Sequence, residues 1–425
     1  MEIDTPKGTK DDMPEDKILL NKLMDDIKNC FEIYGYSPID TPVIERFDVL
    51  SSKYTGGSEI LKETFKLTDQ GNRLLGLRYD LTVPLARVIS MHPDLRMPFK
   101  RYHIAKVWRD GPVSLGRLRE FWQCDVDAIG IKSMIVDAEL IAIGSSILSK
   151  FNLKFSANVN NRKLLNGILI EAGILENQER VILTLDKIEK IHESGVRQEL
   201  SVFLSKEQID KVLELISIKG ANEKILSTIL LHVKNEEGRQ GIQELKELTE
   251  YCKCFGVAPK INLSLARGLA YYTGTIYEFF LENSEIKSAV VSGGRYDKMI
   301  GSLVGGSREF PAVGISIGVS RLFEVLKTES KKSVTEVFIT PIGVLKEAIE
   351  IAQVLRMNGI KTDIDMMNRG PSKNLDFAGS LEIPHVILIG KKELSEGKVK
   401  LRDMRSGKEE LMTVAEVIAK LERIV

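Results

Sequence analysis

The chain is short of cysteine and aromatics, carries no net charge and has no long apolar run, and each shortage removes a class of protein. Four cysteines in 425 residues (Cys30, Cys124, Cys252, Cys254) are too few for a disulfide framework. Cys252 and Cys254 also lack the C-x-x-C pairing of a zinc site. Reduced thiols in a cytoplasm are expected, with Cys124 a packed small hydrophobe rather than a nucleophile. The five histidines (His92, His103, His192, His232, His385) show no H-x-x-H spacing, so structural roles are expected for all of them and no resident metal site is assigned. Lys plus Arg and Asp plus Glu stand at 60 each, which leaves no global basic field to hold a nucleic acid; RNA contact would need local patches. No run of about 18 apolar residues occurs, and residues 1–14 lack the apolar stretch of a signal peptide. The expectation is a protein neither exported nor membrane-spanning.

What is present is a globular mixture, 43% hydrophobic and 28% charged, with only 6% aromatic residues. A chain this long is expected to divide into two or three domains. Residues 16–31 place Ile18, Leu19, Leu23, Ile27 and Phe31 at helical spacing, before a stop at Gly35. Residues 36–43, punctuated by Pro38 and Pro42, read as extended. Strand-like runs follow at 63–68, 74–77, 102–109, 120–128, 156–159, 274–280 and 289–292. Strands interrupted by helices without strict alternation predict an α+β domain on a largely antiparallel sheet, spanning 1–326. Within it, about 163–256 contains no proline, and its apolar residues recur at three and four, so a helical insertion is predicted. After a charged linker at 327–334, residues 334–425 alternate strands (337–340, 361–365, 385–389) with helices (345–357, 414–423), which predicts an independent α/β domain.

The glycine-rich stretches Ser292-Gly293-Gly294-Arg295-Tyr296-Asp297 and Gly305-Gly306 fit neither a P-loop nor a Rossmann fingerprint, and alone they read as structural turns. Their company raises their interest. Arg109 stands at the base of a strand, loop and strand, where its guanidinium can offer a fork to phosphate or carboxylate. Arg267 opens Arg267-Gly268-Leu269-Ala270-Tyr271-Tyr272, and Arg321 follows the small residues of Gly314-Ile315-Ser316-Ile317-Gly318-Val319-Ser320.

Together these segments resemble the class II aminoacyl-tRNA synthetases. Arg109 with its returning strand is similar to the second class motif, residues 318–321 to the third, and the stretch ending Thr41-Pro42-Val43 to the first, which forms dimers. The segments 267–272 and 292–297 resemble the two histidine signatures of the histidyl-tRNA synthetase family, and Leu77-Arg78-Tyr79-Asp80-Leu81-Thr82-Val83-Pro84, Gln123-Cys124-Asp125 and Pro6-Lys7-Gly8-Thr9-Lys10-Asp11 also match. The likeness covers essentially the whole chain.

This resemblance implies an ATP-dependent ligase that makes histidyl-adenylate and pyrophosphate, then transfers histidine to the 3′ end of tRNA(His). Bringing a carboxylate to a triphosphate needs fixed cations to offset the repulsion. By the resemblance Arg109 and Arg267 serve the α-phosphate and the substrate carboxylate. Arg321 clamps the γ-phosphate and covers one adenine face, Phe121 stacks on the other, Arg117 reaches the terminal phosphates, and Mg²⁺ bridges the β- and γ-oxygens. Asp80, Thr82 and Gln123 match the ammonium contacts, while Asp127 and Tyr272, with Tyr271 beside them, match the imidazole contacts. A paired acceptor and phenol of that kind rejects side chains lacking both nitrogens by about 10⁴–10⁵. The segment from 334 resembles an anticodon-binding domain, with Arg369 and Lys373 on an expected loop, 368–374, as tRNA contacts. A homodimer and a 5′ guanosine contact near 113–116 are likewise implied. Two positions depart from the family pattern: Ala270 replaces an Asp, and Gly111 a Glu. The rival reading is a non-catalytic, histidine-sensing paralogue such as an ATP phosphoribosyltransferase regulatory subunit. Such paralogues generally lack the C-terminal domain and lose the ATP arginines, and this chain has both.

Overall fold

The structure is a computed structural model, described over residues 3–52, 59–114, 118–267, 271–303, 309–327 and 331–422. Arg117, Ala270 and half of the 113–116 loop, residues 115 and 116, lie outside the described residues, as do Gly305 and Gly306. Two compact units emerge: Met1–Lys10 with Leu23–Val325, and Asp11–Lys22 with Leu326–Val425.

The strands of the first unit are β1 (Ser37–Pro38), β2 (Ile44–Arg46), β3 (Lys66–Thr68), β4 (Leu74–Leu77), β5 (Phe99–Trp108), β6 (Glu120–Ile129), β7 (Phe155–Asn161), β8 (Lys260–Ile261), β9 (Thr275–Leu281), β10 (Val291–Arg295) and β11 (Ala312–Ile317). Eight of them form one sheet in the order β1-β5-β6-β11-β10-β9-β7-β8, and β2-β4-β3 form a small second sheet. Pairing in the large sheet is antiparallel except at its two edges, β1 on β5 and β7 on β8, as the α+β reading expects. The hairpin β5–β6 pairs from Phe99 with Ile129 to Trp108 with Glu120, and so delivers Arg109 at its loop end.

One face of this sheet is covered by the helix Ile135–Lys150, which is apolar nearly all round and buried along most of its length. Gly144 lets it lie close, since a Cβ there would stand 3.1 Å from the Phe279 ring and 3.3 Å from Val291. Its one deeply buried charge, Asp137, accepts from Arg295 on β10 and from Thr275 on β9. That ion pair holds β10 against the helix at the residue before Tyr296. The opposite face of the sheet is left for the site.

Six helices occupy the span from Arg162 to Cys254: Arg162–Glu171, Gln178–Leu185, Ile188–Leu200, Lys206–Ile216, Asn222–His232 and Glu236–Cys254. The chain then returns to the sheet at β8. From there Asn160, wholly buried on β7, donates to the carbonyls of Leu263 and Leu265, fixing the segment that ends in Arg267.

The second unit carries β12 (Val337–Ile342), β13 (Thr362–Ile364), β14 (His385–Gly390), β15 (Val399–Asp403) and β16 (Glu409–Met412), in the order β13-β12-β14-β15-β16. Its first three strands in that order are parallel and the last two antiparallel. The sequence reading passes over β15 and β16 because charge dominates them; Lys400 and Arg402 on β15 pair with Glu409 on the edge strand β16. Residues 371–374 also differ from expectation: they open the helix Pro371–Ser380, with Pro371 at its first turn, and are not a loop. Among the described residues no helix is long and apolar enough to cross a membrane.

Asp137→Ala removes the buried partner of Arg295 and leaves it only the longer pair with Asp297 at 3.4 Å, at a cost of about 3 kcal/mol. Urea unfolding followed by tryptophan fluorescence, which reports the first unit through Trp108 and Trp122, is expected to show that loss; an unchanged midpoint would contradict it.

Candidate active site

Alternation along β6 sends Phe121, Gln123, Asp125 and Asp127 to one face of the sheet, while Cys124, Val126 and Ala128 are buried on the other. The thiol of Cys124 is pushed well up by that burial, as suits a packed hydrophobe. The register extends the face sideways. Asp127 lies opposite Arg101 on β5 and Gly314 on β11, and Gly314 lies opposite Gly294 on β10. One step along, Asp125 lies between His103 and Ser316, followed by Ser292 and Glu278. Above these two rows sits a cavity of about 880 Å³.

The glycines are what make the first row a pocket. A Cβ on Gly314 would collide with the Asp127 carboxylate, and one on Gly294 would stand 2.8 Å from the Tyr272 ring. Both side chains therefore lie directly on the sheet where two neighbouring strands have none. Gly293-Gly294, read alone as a turn, is in fact mid-strand. Asp127 is clamped there: Arg101 faces its Oδ2 at 2.8 Å, and the Tyr296 hydroxyl donates to Oδ1. Burial first, and then Asp127 itself, hold the Tyr296 phenol well above its ordinary range, so it stays protonated and donates. Tyr271 packs edge-on against Tyr296 at 6.1 Å between ring centroids, and its hydroxyl lies 3.5 Å from that of Tyr272.

Arg267 binds Glu278 at 2.9 Å and lies over the Tyr272 ring, 5.5 Å from its centroid. Burial works against its charge, but Tyr272 and Glu278 outweigh that and raise its pKa. Arg109 donates from Nε to the Tyr79 carbonyl at 3.0 Å and stands 5.1 Å over the Phe121 ring. Arg321, in the first turn of the helix Val319–Leu326, donates to the Ala289 carbonyl. Asp80 receives the Val83 N–H at 3.0 Å at the start of the helix Thr82–Met91. All ten described candidates for the histidine and ATP sites, Asp80, Thr82, Arg109, Phe121, Gln123, Asp127, Arg267, Tyr271, Tyr272 and Arg321, line this one cavity. Asp186, Glu189 and Lys190 line it too, so the helical span contributes a wall.

Arg369 and Lys373 belong to the second unit. Lys373 is exposed, whereas Arg369 is half-buried, with its guanidinium 4.3 Å over Phe377. Asn374 is fully buried and donates to Asp365 at 3.2 Å, a structural duty.

Sequence reasoning assigns no individual role to Arg101, Tyr296, Asp125 or Ser316, although all but Arg101 stand in segments it singles out. Asp125 carries a further signal, as one of three polar residues at period two, Gln123, Asp125 and Asp127. Its carboxyl is pushed up to about 7, by burial above all, with Arg101 opposing and Asp127 and Asp80 adding. A raised aspartate binds its proton more tightly in the folded chain, so it contributes stability at low pH that is lost as pH rises from the ordinary carboxylate range through about 7. Asp125→Asn is therefore expected to stabilise the chain against urea by roughly 2–4 kcal/mol near pH 8, with the gain fading towards about pH 4. A variant less stable than wild type near pH 8 would count against this.

Comparison with known proteins follows the same lines. A family model described as Histidyl-tRNA synthetase matches residues 8–322, and one described as Anticodon binding domain matches residues 336–424. A Histidine--tRNA ligase 1 of Bacillus cereus is 42% identical over 415 residues, 96% of this chain and 97% of the relative. The crystal structure of histidyl-tRNA synthetase from Nostoc sp. PCC 7120 superposes with a TM-score of 0.89 at 31% identity, covering 100% of both chains. A structure described as an ATP phosphoribosyltransferase regulatory subunit/histidyl-tRNA synthetase from Bacillus halodurans reaches 0.76 at 24% identity, covering 91% of this chain and 98% of its own, a likeness of fold alone. With a family model over most of its length and a relative this similar across nearly all of it, the chain belongs to the histidyl-tRNA synthetase family.

Proposed function

We propose that the cavity joins histidine to ATP, forming histidyl-adenylate and pyrophosphate, and that the chain then passes the histidyl group to the 3′-terminal adenosine of tRNA(His) with release of AMP. The observation that carries this is the convergence of two unlike sets of groups on one sheet face: Asp127 and Tyr272 over the paired glycines, and the cations Arg109, Arg267 and Arg321 around them.

In the first step a histidine carboxylate oxygen attacks the α-phosphorus, and the bond to the bridging oxygen of pyrophosphate breaks. Negative charge accumulates on the α-phosphate, so rigidly held guanidinium groups act where the charge develops. Arg267 is suited to this because Glu278 fixes its orientation while leaving further donors, and Arg109 because its Nε is already committed to the backbone. Phe121 and Arg321 take the two faces of adenine, and Arg117 the terminal phosphates. The nucleotide enters as its magnesium complex, with the metal carried on the β- and γ-oxygens as part of the substrate.

Asp127 accepts from one imidazole N–H, and Tyr272, supported by Tyr271, pairs with the other ring nitrogen. An amino acid without that N–H leaves a buried carboxylate unpaired, which gives discrimination without an editing domain. Asp80, Thr82 and Gln123 receive the α-ammonium. In the second unit, Arg369 and Lys373 meet the anticodon loop, and the 113–116 loop meets the 5′ guanosine. The reading includes a cytoplasmic homodimer formed around the Pro42 segment. Val43 and Ile44, which follow that proline, are exposed aliphatics, as a buried interface between copies requires.

Histidine-dependent exchange of pyrophosphate into ATP tests the first step. Arg267→Ala is expected to lower exchange by about 10²–10³-fold while tRNA binding and secondary structure persist. Exchange near the wild-type rate, or exchange driven by another amino acid in its place, would overturn the assignment.

A further inference from the structure

Two acceptor oxygens side by side on β6 have no hydrogen-bond partner among the described residues: Gln123 Oε1 and Asp125 Oδ1. Their side chains leave the same sheet face two residues apart, and both residues line the cavity. Ser316, directly across from Asp125 on β11, ties them together. Its Oγ lies 3.1 Å from Gln123 Nε2, and its hydroxyl bonds the Asp125 carboxylate.

The direction of each bond follows from the chemistry of the groups. A carboxylate only accepts, so the single proton of Ser316 goes to Asp125, and the Ser316 lone pairs take an N–H from the Gln123 amide. That commits the amide NH₂ to Ser316 and leaves the carbonyl as the group still to be satisfied. Gln123 and Asp125 are thus both left as acceptors, at adjacent places on one strand.

Charge points the same way. The carboxylates of Asp127 and Asp80 both act against the charge of Asp125, and Arg101 is the cation that opposes them. Arg101 directs Nη2 to Asp127 at 2.8 Å and to the Leu81 carbonyl at 3.2 Å, and its Nε and Nη1 have no hydrogen-bond partner among the described residues. His103, opposite Asp125, faces Asp40 at 2.9 Å, and burial lowers its pKa to about 4, so it carries no charge to offset Asp125. Asp125 is only 3% exposed, and a buried carboxylate with a bare oxygen is costly unless a ligand compensates it. The fitting ligand is a compact cation with several N–H donors, a primary ammonium.

Resting on the activation of histidine in this cavity, we infer that Asp125 is a further substrate-binding residue: with Gln123 it seats the α-ammonium, and Ser316 is the positioning residue that turns both acceptors towards it. Asp125 adds a second negative charge to the seat already served by Asp80, and Gln123 adds a neutral acceptor. Its pressure towards protonation near neutral pH is the cost of keeping it there, and an arriving ammonium relieves it.

Calorimetry on the full chain near pH 8, with histidinol (ammonium and imidazole) and imidazolepropionate (imidazole without ammonium), separates this role from a general one. Asp125→Asn keeps the shape and an acceptor for Ser316. It is expected to weaken histidinol by about tenfold or more and to leave imidazolepropionate within about twofold. In pyrophosphate exchange the same variant is expected to raise KM for histidine by about tenfold at unchanged KM for ATP. Ser316→Ala is expected to move both readouts in the same direction and less far. Equal losses for the two ligands, or histidinol binding unchanged, would overturn the assignment to Asp125. Asp127→Asn serves as the reference, since it is expected to weaken both ligands. Wild-type chain that binds neither ligand would instead sink the underlying histidine reading.

Discussion

A carboxylate laid flat on a dry sheet governs the rest of this architecture. Asp127 occupies the space above Gly314 and is held from two sides, by Arg101 in the ion pair and by Tyr296 through its hydroxyl. Neither support is near it in sequence, and each depends on a further anchor. Arg101 is placed by the unbroken ten-residue pairing of β5 with β6, and Tyr296 by its neighbour Arg295, which Asp137 holds from the helix beneath. An ion pair on one side of the sheet thus fixes the residue that orients a carboxylate on the other. Removing a partner from either pair leaves a buried charge uncompensated, and that penalty makes the arrangement rigid.

The same face shows how one sheet separates two kinds of chemistry. Along β6 the cavity-lining face runs from Phe121, beside Arg109, to Gln123, Asp125 and Asp127, so an aromatic and cationic end passes into an acidic end within seven residues. Anions suit the first end and an ammonium with an imidazole the second. A substrate bearing carboxylate, ammonium and imidazole is then oriented by charge before any close packing occurs. Asp125 illustrates what this costs: burial raises its carboxyl to about 7, so the site retains a group the fold alone would replace.

Much of this was legible in the sequence, and the limits are physical. The alternation of polar residues at 123–127, the two tyrosines after Arg267 and the small residues before Arg321 are local patterns, and local patterns report faces and turns. The large antiparallel sheet and the separate C-terminal α/β unit also followed from element order. Arg101 and Tyr296 did not, because their significance lies in register: they meet Asp127 only once strands far apart in the chain are paired. Gly293-Gly294 misled when taken alone, since its role is to leave room for Asp127 and Tyr272 rather than to turn the chain. Strand β15 and the edge strand β16 were hidden because charged residues joined across the two strands crowd their few apolar positions, Val399 and Leu401 among them.

The central claim is that Asp127 and Tyr272 converge on one imidazole. A crystal structure of the chain with a non-hydrolysable histidyl-adenylate analogue tests it most directly. The account predicts one ring nitrogen within hydrogen-bonding distance of the Asp127 carboxylate and the other within reach of the Tyr272 hydroxyl, over Gly294 and Gly314. An imidazole seated elsewhere in the cavity, out of reach of Asp127 and Tyr272, would contradict it.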